Sequence, residues 1–194
     1  MSGISSFVCD IDEKILKQKK KAKNFIIFLF CFSIFSSISQ TNEDVPLNNI
    51  AINEIPTPIL SLIFEDFSGN EINLKDYHGK LVIINFWATW CAPCKKEMPS
   101  LDSLYQDNNF KNLQILAVNM EQPNTLKTKK FFTDLNIQTL EIFFDHNLNF
   151  VKEFKIRGIP TTILINKKGE EFARIIGEVN FQDKKFLKWL SKYD

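Results

Sequence analysis

Two cysteines carry the chemistry most easily read from this chain. They stand as Trp90-Cys-Ala-Pro-Cys94, three positions apart. A continuous apolar run rich in β-branched residues, Leu81-Val-Ile-Ile-Asn-Phe-Trp87, precedes them, as suits a strand buried on both faces of a sheet. Helix signals begin at about Ala92, with Pro93 in the first turn. The pair therefore falls where a buried strand hands over to a helix. Unpaired backbone N–H groups and the positive end of the helix dipole favour a thiolate there, and the thiolate is the nucleophile. Cysteines three apart in a first turn are neighbours and can close a small disulfide ring. Pro93 limits the conformations of that ring and helps to tune its redox potential.

Three plainer readings compete with redox chemistry. A structural zinc site needs about four ligands, yet there is no second cysteine pair and the only histidines are His78 and His146. A purely structural disulfide leaves the flanking Trp and Pro unexplained. Inert buried thiols fit poorly at an exposed strand-to-helix turn. The remaining cysteines, Cys9 and Cys31, fall in the N-terminal region and are not candidates for the site.

The surrounding elements must hold this turn. Ile59–Phe64 and Glu71–Leu74, with Ser68-Gly69-Asn70 between them, read as a strand or hairpin entry. After the helix of about 92–106, Leu113–Val118 reads as another buried strand. Thr125–Leu135 is helical, with Phe131, Phe132 and Leu135 on one face. Glu141–Phe144 is a short strand and 147–154 a short helix. Thr162–Ile165 and Glu171–Ile176 flank a Lys167-Lys168-Gly169 hairpin turn. Phe181–Leu190 closes as a helix with Phe186, Leu187 and Leu190 inward. Strands alternating with helices, ending in a hairpin and a helix, predict an α/β fold: a mixed central sheet with helices on both faces and an N-terminal strand or hairpin extension.

Of 194 residues, 44% are hydrophobic and 24% charged, and the formal net charge is +1. That balance excludes a nucleic-acid binder of ordinary type and intrinsic disorder of the whole chain. Six of the 24 basic and three of the 23 acidic residues lie in 1–23, leaving 18 and 20 for the rest, a net of −2. A basic arm (1–23) precedes an apolar run diluted by serine (24–39), the pattern of a secretory signal or a thin signal anchor. The positive-inside rule then keeps the lysines in the cytoplasm. Everything after about residue 40 is expected on the periplasmic side, anchored in the inner membrane or, if the segment is cleaved, free. Residues 40–57, polar with Pro46 and Pro56 and followed by Pro58, read as a linker to a domain of 58–194.

Asn85-Phe-Trp-Ala-Thr-Trp-Cys-Ala-Pro-Cys-Lys-Lys-Glu-Met-Pro99, with Ile156-Arg-Gly-Ile-Pro-Thr-Thr-Ile-Leu-Ile-Asn166 downstream, resembles the thioredoxin superfamily. More closely, it resembles the membrane-anchored TlpA/ResA group of bacterial thiol–disulfide oxidoreductases. The likeness covers about residues 55–192. It implies a thioredoxin fold, Cys91 as nucleophile, Cys94 as resolving thiol and Pro160 as the cis-proline beside the disulfide. A substrate peptide would pair with the Ile159 and Thr161 backbone as an added strand. Trp90, Pro93, Ile159 and Thr161 are thus the expected substrate-binding residues, and Trp87 a core residue. Cytosolic thioredoxins carry a buried Asp six residues before the first cysteine; here it is Asn85, which cannot take a proton. Glu97, three residues after Cys94, matches the acid of the Lys-Glu-Met-Pro stretch and is expected, partly buried, to tune the thiols and take the proton of Cys94. The alternative is a solvated helix glutamate beside Lys95 and Lys96.

The expected activity is that of a protein-disulfide reductase; the exchange needs no bound cofactor or metal beyond the chain's own disulfide, and a monomer is expected because nothing in the pattern suggests an extra interface element. The resemblance further implies partners. A transmembrane donor of the DsbD/CcdA type would recharge it, and apocytochrome c or copper-handling proteins of oxidase assembly would be its substrates. Two rivals remain. One is a disulfide-donating oxidant on the same fold. The other is a copper-binding chaperone, for which the Cys-x-x-Cys spacing and the distant histidines are a poor match.

Overall fold

A computed structural model of the chain describes residues 47–59, 62–145 and 147–194. The arm and anchor expected over 1–39, the start of the expected linker and His146 lie outside the described residues. Among the described residues no helix is long and apolar enough to cross a membrane.

Eight strands form one sheet in the order β1-β8-β7-β4-β5-β6-β2-β3. They are β1 (Ile50–Pro58), β2 (Ile63–Asp66), β3 (Glu71–Asn73), β4 (Leu81–Trp87), β5 (Leu113–Asn119), β6 (Ile142–Phe144), β7 (Thr161–Ile165) and β8 (Glu170–Ile176). The helices are α1 (Ala92–Tyr105), α2 (Thr125–Asp134), α3 (Asn149–Glu153) and α4 (Lys184–Leu190), with a 3-10 turn at Leu74–Tyr77. β4, β5 and β6 run parallel. β7 lies antiparallel to β4 on its other side, and β8 returns along β7. The sheet is mixed, as expected, and the fold is that of thioredoxin.

β4 shows why a continuous apolar run suits the centre of such a sheet. Successive side chains of a strand point to opposite faces. Leu81, Ile83 and Trp87 enter a core with Met98, Leu101 and Leu104 of α1, Phe131 and Phe132 of α2, and Phe186 and Leu190 of α4. Val82, Ile84 and Phe86 enter the other core, with Phe150 of α3, Phe154 and Phe64. All seven residues of β4 are buried. Asn85 shares the face of Leu81 and Trp87, so its amide is aimed at α1.

The hairpins follow from their turn residues. Asp66 accepts the Ser68 and Asn70 N–H groups, and Gly69 takes the left-handed conformation (φ +85°) that costs glycine least. Gly169, at φ +80°, closes the β7–β8 turn. A Cβ there would meet the imidazole of His78 at 2.5 Å.

One boundary is corrected. Residues 50–57, read from their prolines as part of a linker, are strand: Ile50, Ala51 and Ile52 pair with Ile175, Arg174 and Ala173 of β8. The register then shifts, and Thr57 and Pro58 pair with Glu171 and Glu170. Proline is excluded from central strands but not from a sheet edge, where its missing N–H need face no partner. β1 is such an edge.

Candidate active site

The site is assembled at the C-terminal end of β4. The chain leaves the strand at Trp87, crosses Ala88-Thr89-Trp90 and enters α1. Thr89 is fixed by Glu121, which follows β5: its carboxylate accepts the Thr89 N–H and hydroxyl and is itself gripped by Lys127 of α2. Burial pushes the Glu121 carboxyl up, but these partners outweigh it and hold the group below the usual carboxylate range. The turn that carries the cysteines is thereby tied to the end of a neighbouring strand and to a helix.

Cys91 is the N-cap of α1, and its sulfur accepts the Cys94 N–H at 3.2 Å. The two are joined in a disulfide with Cα atoms 5.3 Å apart. The turn is exposed, but the sulfur-bearing residues are not. Trp90 is 69% exposed and Pro93 is exposed, whereas Cys91 retains only 3% and Cys94 is fully buried. The sequence reading, which pictured an open turn, misses this. Trp87 packs at a tilt against Phe131 and Phe132 and is a core residue.

The Ile159–Pro160 peptide bond is cis. Ile159 is half-buried and packs against the core cluster that contains both cysteines. Thr161 is the first residue of β7; its side chain is buried and its hydroxyl donates to the Gly158 carbonyl at 2.7 Å. Its side chain thus shapes the loop before the strand and does not face solvent.

Glu97 lies on the buried face of α1, only 2% exposed. One oxygen accepts from the Asn85 amide at 2.8 Å, the other from the Val179 N–H at 3.1 Å. Burial raises its carboxyl to about 7, against the lowering effect of these two bonds and with some help from the nearby Glu178 carboxylate. The solvated-glutamate alternative does not describe this residue. Asn85 also donates to Thr162 Oγ1 at 3.0 Å, and its own carbonyl oxygen is buried without a partner among the described residues. The strand position occupied by an acid in cytosolic thioredoxins here orients the acid of the helix.

Val179 and Glu178 are the residues sequence reasoning missed. They belong to the loop after β8, and only the assembled fold brings them to Glu97. Among the described residues no group of three or more His, Cys, Asp or Glu is placed to hold a metal. His78 precedes β4 and the cysteines follow it. Seven strand residues at about 3.3 Å each keep them roughly 20 Å apart.

The AhpC/TSA family model matches residues 54–170. The thiol-disulfide oxidoreductase ResA of Geobacillus kaustophilus strain HTA426 is 37% identical over 167 residues, spanning 86% of this chain and 93% of that protein. The protein of that name from Halalkalibacterium halodurans is 39% identical over 111 residues, covering 57% of this chain and 62% of its own length. Among solved structures, StoA of Bacillus subtilis aligns with a TM-score of 0.56 and 26% identity, covering 73% of this chain and 98% of that one. A secreted thiol-disulfide isomerase of Corynebacterium glutamicum aligns with a TM-score of 0.64 over 74% and 92% of the two chains; at 21% identity it speaks for the fold alone.

Proposed function

The chain belongs to the AhpC/TSA family of thioredoxin-fold proteins, and on that premise we propose that it is a thiol–disulfide oxidoreductase acting as a reductant of protein disulfides. The observation that carries the reading is the Cys91–Cys94 disulfide at the N-terminus of α1, backed by a buried carboxyl whose proton affinity lies near neutrality. ResA-named relatives that align over most of their length support the same exchange chemistry.

In the reduced protein the Cys91 thiolate attacks one sulfur of the substrate disulfide. A mixed disulfide forms and the other substrate sulfur leaves as a thiolate. Cys94 loses its proton to Glu97 and attacks the Cys91 sulfur, which releases the second substrate thiolate and restores the Cys91–Cys94 bond. Two electrons pass from the cysteine pair to the substrate, and solvent and Glu97 supply the protons. Ionised Glu97 is the form able to accept, so Asn85 and the Val179 N–H, which bond to the carboxylate, hold the base ready. No other cofactor enters the cycle.

The compartment follows from the N-terminal pattern, and the partners from the likeness to the TlpA/ResA group. The domain works as a monomer in the periplasm, tethered by residues 24–39 or released if they are cut. A transmembrane dithiol donor of the DsbD/CcdA type recharges it. Its substrates are disulfides of apocytochrome c or of copper-assembly proteins. The test is the reduction potential of the pair, by equilibration with dithiothreitol or glutathione. A value below about −200 mV, near the roughly −270 mV of thioredoxin, makes the protein a reductant. A value near about −120 mV makes it a disulfide donor and overturns the direction.

A further inference from the structure

Beside the disulfide, on the side of α2, a cleft opens between Trp90 and the helix. Its apolar floor is Phe131 and Leu135, and its rim carries Lys95, Lys127 and Lys130 against the single carboxylate of Asp134. The bulk charge of the protein does not explain three ammonium groups there, because the chain from residue 24 on carries a net of −2. Two carboxylates, Asp134 and Glu121, answer these three ammonium groups, which leaves the cluster one positive charge in excess. Asp134 engages Lys130 and Glu121 engages Lys127, while Lys95 has no ionic partner among the described residues. The opposite flank of the site is balanced, Lys96 being paired with Glu178 at 3.3 Å.

The cleft is also held in shape. Lys127 grips Glu121, and Glu121 grips Thr89. That strap fixes α2 against the residue next to Trp90, so the two walls keep their spacing. The exposed indole stands one residue before Cys91, and Lys95 one residue after Cys94. Whatever occupies the cleft therefore lies beside the turn that carries the cysteines, although neither cysteine lines the cleft itself. An apolar floor with a cationic rim suits a chain that offers an apolar side chain between carboxylates.

We propose that this cleft docks an acidic segment of the partner polypeptide, its apolar side chain against Phe131 and Leu135 and its carboxylates on Lys95, Lys127 and Lys130, so that the partner's disulfide is presented to Cys91. The proposal rests on the exchange reaction above and adds its charge specificity. A bilayer of anionic lipid offers the same charge, but a flat surface does not fill a concave cleft, and it would seal the disulfide from any protein substrate.

Three disulfide-bridged peptides of equal length test it, identical except that the residues flanking each cysteine are acidic, uncharged or basic. The rate constant for oxidation of the reduced full-length protein by each is read by stopped-flow tryptophan fluorescence, at low and at physiological ionic strength. The acidic peptide is expected to react at least about threefold faster than the uncharged one, and the basic peptide slower, with both ratios shrinking as salt rises. Lys95→Gln combined with Lys130→Glu should abolish or invert the order, while Lys130→Arg should keep it. Taking ratios to the uncharged peptide cancels any change in thiol reactivity. Equal rates for the three peptides, or an order that survives the double variant, overturn the docking proposal and leave the exchange reaction standing. Failure of all three peptides to react overturns both. Lys130-dependent binding to vesicles rich in phosphatidylglycerol, with no preference among the peptides, assigns the surface to lipid and overturns it as well.

Discussion

At the scale of single residues, the proposed exchange turns on Glu97. A carboxyl raised to about 7 is half ionised near neutral pH, the condition in which a base both accepts and returns a proton efficiently. Release of substrate from the mixed disulfide should accordingly rise with pH through about 7 in the wild type. In Glu97→Gln that step should be slower above pH 7, by roughly a hundredfold as for loss of a positioned base, and the inflexion should vanish. Quenched single-turnover assays across pH check this; an unchanged profile would remove Glu97 from the mechanism. The same titration identifies the influence of Glu178. Its negative charge adds to the proton affinity of Glu97, so Glu178→Gln should move the inflexion to lower pH.

At the scale of elements, what the sequence makes legible is what local pattern controls. β4, α1 and the cysteine turn are set by a run of apolar residues, a proline in the first turn and a short spacing, all within fifteen positions. The β7–β8 hairpin is read from Lys-Lys-Gly, and Glu97 from its place on the helix. β1 is hidden because its prolines signal a linker, and only the open edge of β8 makes them tolerable. The loop that contributes Val179 and Glu178 is hidden for a different reason: it meets Glu97 across 82 residues of chain, and nothing local marks it.

The far part of α1 is anchored by a similar long-range device. Buried Asp102 accepts the N–H groups of Gln138, Thr139 and Leu140 and the Thr139 hydroxyl, and so ties the helix to the segment leading into β6. Replacing Asp102 with Ala strands several buried donors. At about 1–3 kcal/mol for a stranded group, partly relieved by entering water, the variant should lose roughly 2–4 kcal/mol in urea unfolding. A loss below about 1 kcal/mol would show that the tether contributes little.

At the scale of the whole molecule, the buried acids act on stability in opposite directions. Burial pushes Asp102 up, but its bonds to Thr139, Gln138 and Leu140 outweigh that and hold its carboxyl below 3.8; Glu121 is likewise held below 4.5. Each stabilises the fold above its unfolded value, and that contribution is lost as pH falls through its folded value. Glu97 is raised from 4.5 to about 7. Its folded form binds the extra proton, so its contribution is complete below 4.5 and is lost as pH rises through about 7. The Glu97 shift is worth on the order of 3 kcal/mol by linkage, a large share of a typical domain stability. The oxidised protein should therefore be most stable near about pH 5 and weaken toward pH 8, where the exchange reaction needs Glu97 ionised. Urea midpoints measured from pH 3.5 to 9 test the idea. The wild type should crest near about pH 5, whereas Glu97→Gln should keep the acid limb and lose most of the alkaline decline. If the variant declined as steeply as the wild type, the cost of ionising Glu97 would not be the cause. If it stayed flat, the group proposed to take the proton would also be the one that makes the folded protein least stable at the pH where the exchange needs it ionised.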